Sequence, residues 1–486
     1  MTSVASSATD RTARRRWWAL GLIATAQFMV IMDTSIIGVA LPQMQVDLGF
    51  APQDLSWVFN AYVIAFGGLL LLGGRLSDLL GAHRVFATGW AVLLGGSVLA
   101  GAAQTATLEL IGRGIQGAGA ALIAPAALTL LMVLFGSNPR ELTKALALYG
   151  AAAPAGGTAG VFLGGVITEY ASWPWVFYLN VPIAVVVLLL TRSVMPSVPG
   201  IRGSQDWLGA ISVTGALATG VYAIVRAPEL GWGSSSTLLL GAVSIALLVL
   251  FLIVQVRHRN PLVRLGIFRT PNLGGANLAQ LLLGAAWVPM WFFLNLYLQQ
   301  VLGLSAFPSG AALLPMTVLI MVGMILLAPR AIGRFGPKVV LVTGLGVLAA
   351  GLLVMSFLRP DGNYWIDVLP ASLIAAVGMS LAFIPSLGMA LSSARPEEGG
   401  LASGIVNTSY QVGSALGLAV MTAVAAASGA DQIGDAVALT EGYSAALVGA
   451  AVLALVGVVV AAMLIKVPRQ ARPGEAATVA DDVAVH

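Results

Sequence analysis

Asp33 lies in the stretch FMVIMDTSIIGVALP (Phe28 to Pro42), inside an apolar run from Trp17 to Leu41 that carries no other charge. Arg113 lies in IGRGIQGAGAALIAP (111–125), again among apolar and small residues. Charged side chains are costly at the centre of a bilayer, and where they occur they mark proton, ion or substrate paths. On a helix Asp33 stands about 24 Å of rise from Trp17 and about 12 Å from Leu41, too deep for a short side chain to reach water. Desolvation favours its neutral acid and a nearby cation favours its anion. A carboxyl group poised between those effects can take up a proton on one side of a membrane and release it on the other. Arg113 could be that cation, or could meet a polar part of a substrate. For both residues the alternative is a static ion pair that locks two helices together. Gln116 shares the helix face of Arg113, and Gly114, Gly117 and Gly119 permit close approach by another helix.

Other polar and aromatic residues recur at helical spacing in apolar surroundings. Gln280, Gly284, Trp287, Trp291 and Asn295 follow one another by four, three, four and four. Tryptophan prefers membrane interfaces, so a mid-span stripe of indoles and amides suits a flat, apolar, cationic ligand; packed or lipid-facing tryptophans are the alternative. Ser403, Asn407, Gln411 and Ser414 form a second stripe, either cavity lining or polar glue between helices. Trp57, Asn60 and Tyr62 are further candidates for substrate contact, as is Gln116. The small-residue run GAAAPAGGTAGVFLGG (150–165) offers either a sliding surface or static close packing.

The elements that must position these groups follow from composition. Hydrophobic residues make up 58% of 486 and charged ones 9%, against about a quarter charged in a soluble domain. The solvent of this chain is therefore largely lipid. Apolar runs of bilayer length recur fourteen times, the first near 17–41 and the last near 442–465. The apolar run after RTARRR (11–16) is too long for a cleaved signal and lacks a small-residue cleavage site. Of 24 basic residues, Arg113 sits within a span, Arg226 and Arg359 fall on loops of one face, and all others fall on the opposite face or the termini. The positive-inside rule then places both termini in the cytoplasm of a cell-membrane protein.

Cysteine is absent and the three histidines are scattered, which excludes thiolate chemistry and disfavours a metal centre. No phosphate-binding glycine loop or nucleic-acid motif is present. The expectation is a non-enzymatic protein without cofactor, metal or nucleic-acid partner, acting as a monomer. GGRLSDLLGAHRVF (73–86) and APRAIGRFGPKVVL (328–341) both place basic residues around a glycine at the membrane edge, a weak internal repeat that predicts two related halves. The boundaries follow: an N-terminal tail (1–16), a six-helix bundle (17–192), a linker with two extra helices and an interfacial segment (193–272), a second six-helix bundle (273–466) and a C-terminal tail (467–486). Within the first repeat, Arg75, Asp78 and Arg84 sit at the cytoplasmic mouth. Asp78 can meet the positive N-terminus of the third helix or of a helix in the other half; ordinary topogenic charges are the alternative reading.

Several stretches together resemble the major facilitator superfamily, in particular its fourteen-span drug/proton antiporter branch. MDTSIIGVALP (32–42) resembles the branch's first-helix motif, GRLSDLLGAHR (74–84) the superfamily loop motif, and IGRGIQGAGAALIAP the fourth-helix motif. SWPWVFYLNVP (172–182), NPLVRLGIFR (260–269) and GLASGIVNTSYQVGSALG (400–417) are similar to further branch signatures. Leu79, Ala82 and Pro174 stand where arginines are usual, and Val161 where the antiporter motif has proline. The resemblance implies an all-α polytopic fold of 14 transmembrane helices, two six-helix bundles plus two inserted helices. It implies proton-coupled export of amphipathic drugs or antibiotics by alternating access, with Asp33 and Arg113 in coupling and Arg75, Asp78 and Arg84 in gating. A proton-coupled or passive carrier of a specific metabolite or lipid is the other reading.

Overall fold

A computed structural model of the chain describes residues 2–50, 57–200, 206–258, 272–395, 398–430 and 434–466, with isolated positions between them. Its helices are α1 (Thr2–Leu48), α2 (Trp57–Leu80), α3 (Ala82–Gly101), α4 (Ala106–Phe135) and α5 (Pro139–Tyr170). There follow α6 (Trp175–Val194), α7 (Trp207–Leu230), α8 (Ser235–Arg257), α9 (Leu273–Val301) and α10 (Phe307–Phe335). The last are α11 (Pro337–Met355), α12 (Tyr364–Ser392), α13 (Gly399–Ala430) and α14 (Ala436–Leu464). No strand is present among the described residues. Thirteen of these helices are long and apolar enough to cross a membrane. α7 carries the apolar stretch Leu208–Ile224.

The first six and last six helices pack by the same scheme. α1 lies along α5, α2 along α4, and α3 between α4 and α6. Eight helices later, α9 lies along α13, α10 along α12, and α11 between α12 and α14. Glycines set the closest of these contacts. A methyl group on Gly156 or Gly160 of α5 would collide with the Phe28 or Met32 carbonyl of α1, and on Gly413 or Gly417 of α13 with those of Leu281 or Ala285 of α9. The backbones therefore approach as only small residues allow. The small-residue run of α5 thus packs in two directions: Gly156 and Gly160 press on α1 within their own half, whereas the Thr158 hydroxyl meets that of Thr317 at 2.6 Å, Val161 packs on Gly310, and Gly150 lies against Met324, Phe383 and Ile384 of the other half.

α7 and α8 pack on each other, and α7 also covers α2 and α13. α8 is the most lipid-like surface of the molecule, with Leu239, Ile245 and Val256 all more than 60% exposed. Residues 261–269 fall largely outside the described positions, as do 467–486; Val263 is buried and donates its N–H to Gln255 at 2.8 Å.

Candidate functional site

Asp33 and Arg113 meet. The guanidinium Nη1 donates to Asp33 Oδ2 at 2.6 Å, and the two side chains are 1% and 0% exposed. α1 supplies the carboxylate and α4 the cation. Around them the remaining hydrogen-bonding capacity is taken up in order. Arg113 Nε donates to the Val58 carbonyl of α2 at 3.0 Å, and Nη1 also donates to Gln116 Oε1 at 2.8 Å. Asp33 Oδ1 accepts from Gln116 Nε2 at 3.2 Å and from Asn180 Nδ2 of α6 at 2.7 Å. Both amides also reach the Ser97 hydroxyl of α3, at 2.8 and 3.2 Å. A buried carboxylate with two amide donors and one cation is solvated by protein where water would otherwise be needed.

The guanidinium is roofed by the Tyr62 ring, 4.6 Å from its centroid, and flanked by Phe177 at 5.9 Å. Tyr62 is the boundary of this cluster. It also lines a cavity of about 400 Å³ at the seam of the two halves, lined from α1, α2, α4, α5, α9, α10, α12 and α13. None of the described residues lining that cavity carries a formal charge. Its walls are mainly apolar, with amides from Gln27, Gln280, Asn407 and Gln411. Trp287 and Trp291, with indole rings 6.4 Å apart, and a second aromatic pair, Phe383 and Tyr410, also line it.

Of the residues singled out for substrate contact, Tyr62, Gln280, Trp287, Trp291, Asn407 and Gln411 line this cavity. Four lie away from it. Gln116 turns toward α3 and the carboxylate. Trp57 stacks at 5.4 Å on Tyr222 of α7 and carries Arg226 over its ring. Asn60 is half-buried on α2 outside the lining, and Asn295 accepts from Gln299 at 3.0 Å, where α9 enters its final wide turn. Asp33 is itself absent from the wall, whereas Tyr62 both lines the cavity and lies over the Arg113 guanidinium.

At the arginine-rich end of the seam, Asp78 of α2 accepts from the backbone N–H of Gly400 at 2.8 Å and of Leu401 at 3.0 Å. α13 has no side-chain cap of its own, so a carboxylate from the opposite half caps it. Arg75 is half-buried one turn before Asp78, and Arg84 is exposed at the start of α3. Beside this contact the hydroxyls of Thr129 and Ser403 lie 3.5 Å apart across α4 and α13.

Ser97, Asn180 and Glu109 were not singled out from sequence. Asn180 had a signal, an amide at the head of the apolar run VPIAVVVLLL. Glu109 had a better one: it precedes Arg113 by four residues and so shares its helix face.

Paired helical halves around a largely apolar central cavity, with a buried ion pair behind its wall, have the architecture of a membrane transporter. The chain belongs to the Major Facilitator Superfamily, whose sequence profile matches residues 23–418. It is 38% identical over 98% of its length to the cephamycin export protein CmcT of Amycolatopsis lactamdurans, 98% of which is covered. It is 36% identical to the puromycin resistance protein pur8 of Streptomyces alboniger, over 89% of this chain and 86% of that one. The tetracenomycin C resistance and export protein of Streptomyces glaucescens is 31% identical, over 87% and 78%. Among solved structures, the human organic anion transporter MFSD10 superposes with a TM-score of 0.66 at 15% identity, covering 92% of this chain and 99% of its own. The transporter FucP in its outward conformation gives 0.62 at 17%, covering 92% and 99%. Both share the fold.

Proposed function

We propose that this chain exports amphipathic antibiotics or drugs from the cytoplasm in exchange for protons. The observation that carries the reading is the position of Tyr62, whose ring lies against the Arg113 guanidinium and which also lines the central cavity. In this arrangement Arg113, Gln116 and Asn180 all donate to Asp33, a set of partners that favours its anion. Protonating it removes the anion that fixes Arg113. The guanidinium then re-sorts its donors, and the ring resting on it moves the cavity wall. Occupancy of the cavity and protonation of Asp33 thereby act on one another through a shared side chain, which is a coupling free energy between two ligands. An uncharged, aromatic, amide-dotted cavity fits cargo with a flat apolar body, and antibiotic export or resistance is named for all three relatives.

Two six-helix bundles, 17–192 and 273–466, would rock about the cavity, with 193–272 as a peripheral linker and 1–16 and 467–486 as tails. The arginine-rich face is taken as cytoplasmic. The Asp78 cap on α13 then closes the cytoplasmic end and must break for cargo to enter, with Arg75 and Arg84 as its charged surround.

Proteoliposomes test the reading. With a pH gradient imposed, puromycin or ethidium should accumulate against its own gradient, and adding either probe should release protons from the loaded protein. Asp33→Asn should abolish both. Undiminished gradient-driven accumulation in that variant removes Asp33 from coupling, and accumulation that ignores the pH gradient in the native chain makes it a passive carrier.

A further inference from the structure

Glu109 is buried without exposure in the first turn of α4, and neither carboxyl oxygen has a hydrogen-bond partner. Two further open valences belong to the Asp33 cluster: Arg113 Nη2 and Asn180 Oδ1 are also buried and unpartnered. Glu109 and Arg113 are separated by about 6 Å along one helix face. Building on the coupling reading above, we propose that Glu109 is a second proton-carrying carboxyl group, through which protons pass between the outer face and Asp33.

Charge bookkeeping supports this assignment. Asp33 and Arg113 form a neutral pair, each satisfying the other. Ionised Glu109 beside them would be a surplus anion with no donor, an arrangement that burial penalises heavily; the neutral acid fits the site as it stands. Once Asp33 is protonated the balance inverts. Arg113 becomes the surplus charge, and its free Nη2 can take Glu109 as its anion. The step conserves charge and atoms: the Glu109 O–H bond breaks, the Asp33 O–H bond forms, one proton moves, and Arg113 exchanges one carboxylate for the other. Glu109 is then re-protonated from the end of α4 nearer to it. That end adjoins the α3–α4 connection, on the face opposite the arginine-rich one.

Other ionisable groups in this half of the membrane do not supply the role. The charges acting on Glu109 are Arg113 and Asp33. α1 also carries Asp47, which is occupied by the Trp173 indole N–H at 2.8 Å. α2 and α6 bring only the phenols Tyr62 and Tyr178, the second packed on Gly101 of α3. Glu169 and Tyr170 are the last two residues of α5, at the membrane edge, where Tyr170 is largely exposed, and the charges of α3 are at its opposite, arginine-rich end.

Infrared difference spectroscopy of the full chain in nanodiscs, scanned across pH, tests this without any cargo. The native protein should show the C=O stretch of a buried carboxylic acid at neutral pH. Glu109→Gln should erase that band, Glu109→Asp should keep and shift it, and Asp33→Asn, which leaves Arg113 without its anion, should weaken it as Glu109 ionises in its place. A native spectrum without the band, or one unchanged by Glu109→Gln, overturns the assignment. In proteoliposomes, Glu109→Gln should lower pH-driven ethidium accumulation by about tenfold or more, with ethidium binding retained as the sign of an intact fold. Full pH-driven accumulation in Glu109→Gln beside its loss in Asp33→Asn sinks Glu109 and leaves the coupling role of Asp33 standing. Survival of that accumulation in Asp33→Asn instead sinks the coupling reading itself.

Discussion

The Asp78 carboxylate accepts the backbone N–H groups of Gly400 and Leu401, joining residues more than three hundred positions apart. It is one half of the molecule capping a helix of the other, and it sits beside Thr129 and Ser403. Hydrogen bonds to a charged group contribute about 1.5–3 kcal/mol each. Asp78→Ala should therefore shift the population of the closed arginine-rich end by tenfold or more. The chain contains no cysteine, so Thr129→Cys with Ser403→Cys gives a clean reporter. Disulfide yield between them should fall sharply when Asp78→Ala is added; an unchanged yield would mean the cap does not hold the ends together.

Glycine at position 74 should matter for the same reason. A methyl group there would lie 2.5 Å from the Gly400 carbonyl. Gly74→Ala should push α2 from α13 and lower the same cross-link, whereas Gly95→Ala, whose new methyl group meets nothing within 4 Å, should leave it unaffected. Equal effects from the two would remove the steric argument.

The Asp33–Arg113 pair has a signature distinct from loss of activity. Removing one member strands the other, at a cost of about 3–5 kcal/mol. Asp33→Asn should lower the thermal unfolding temperature, and adding Arg113→Gln should recover much of that loss while leaving proton coupling absent. A double variant no more stable than the single one would place the stability elsewhere in the cluster.

Tyr62 separates packing from polarity. Its ring over Arg113 should contribute up to about 2 kcal/mol where water is excluded. Tyr62→Phe keeps the ring and should keep coupled transport, because the hydroxyl contact to Val30 is long at 3.4 Å. Tyr62→Ala should uncouple proton flux from cargo even where cargo still binds. If phenylalanine is as damaging as alanine, the hydroxyl carries the effect and the ring does not.

Trp291 and Trp57 should part company. Trp291→Ala should weaken ethidium and puromycin binding by tenfold or more at little cost in stability, since it lines the cavity. Trp57→Ala should loosen α7 from α2 and spare affinity, since it stacks on Tyr222. Ligand titration and thermal unfolding on the same samples decide the matter.

The contrast between those tryptophans also marks how far sequence reaches. Lipid imposes long apolar helices, so the spans and the two deep charges, Asp33 and Arg113, were legible in one dimension. Spacing finds a helix face without saying what that face meets. Trp57, Asn60 and Asn295 sit on stripes that resemble cavity lining, yet none of them lines the cavity: Trp57 meets a neighbouring helix and Asn295 a turn near the helix end. Gln116 shares its face with Arg113 and serves the carboxylate instead of the cavity. Glu109 escaped notice because acidic residues are ordinary in the first turn of a helix, where the dipole favours them; only three-dimensional burial distinguishes this one. Asn180 required the path of α6 past α1, which no local pattern encodes.

The uncharged wall of the central cavity decides which force does the electrical work. Nothing in the wall neutralises a bound cation, so the charge travels with the cargo. Moving one charge across costs or yields about 2.3 kcal/mol per 100 mV. On the proposed exchange, a monovalent cation leaving as one proton enters carries no net current, and only the pH difference drives it. An uncharged antibiotic swapped for the same proton sends one positive charge inward per cycle and draws on the voltage as well. One carrier would thus be indifferent to membrane potential for some cargoes and powered by it for others.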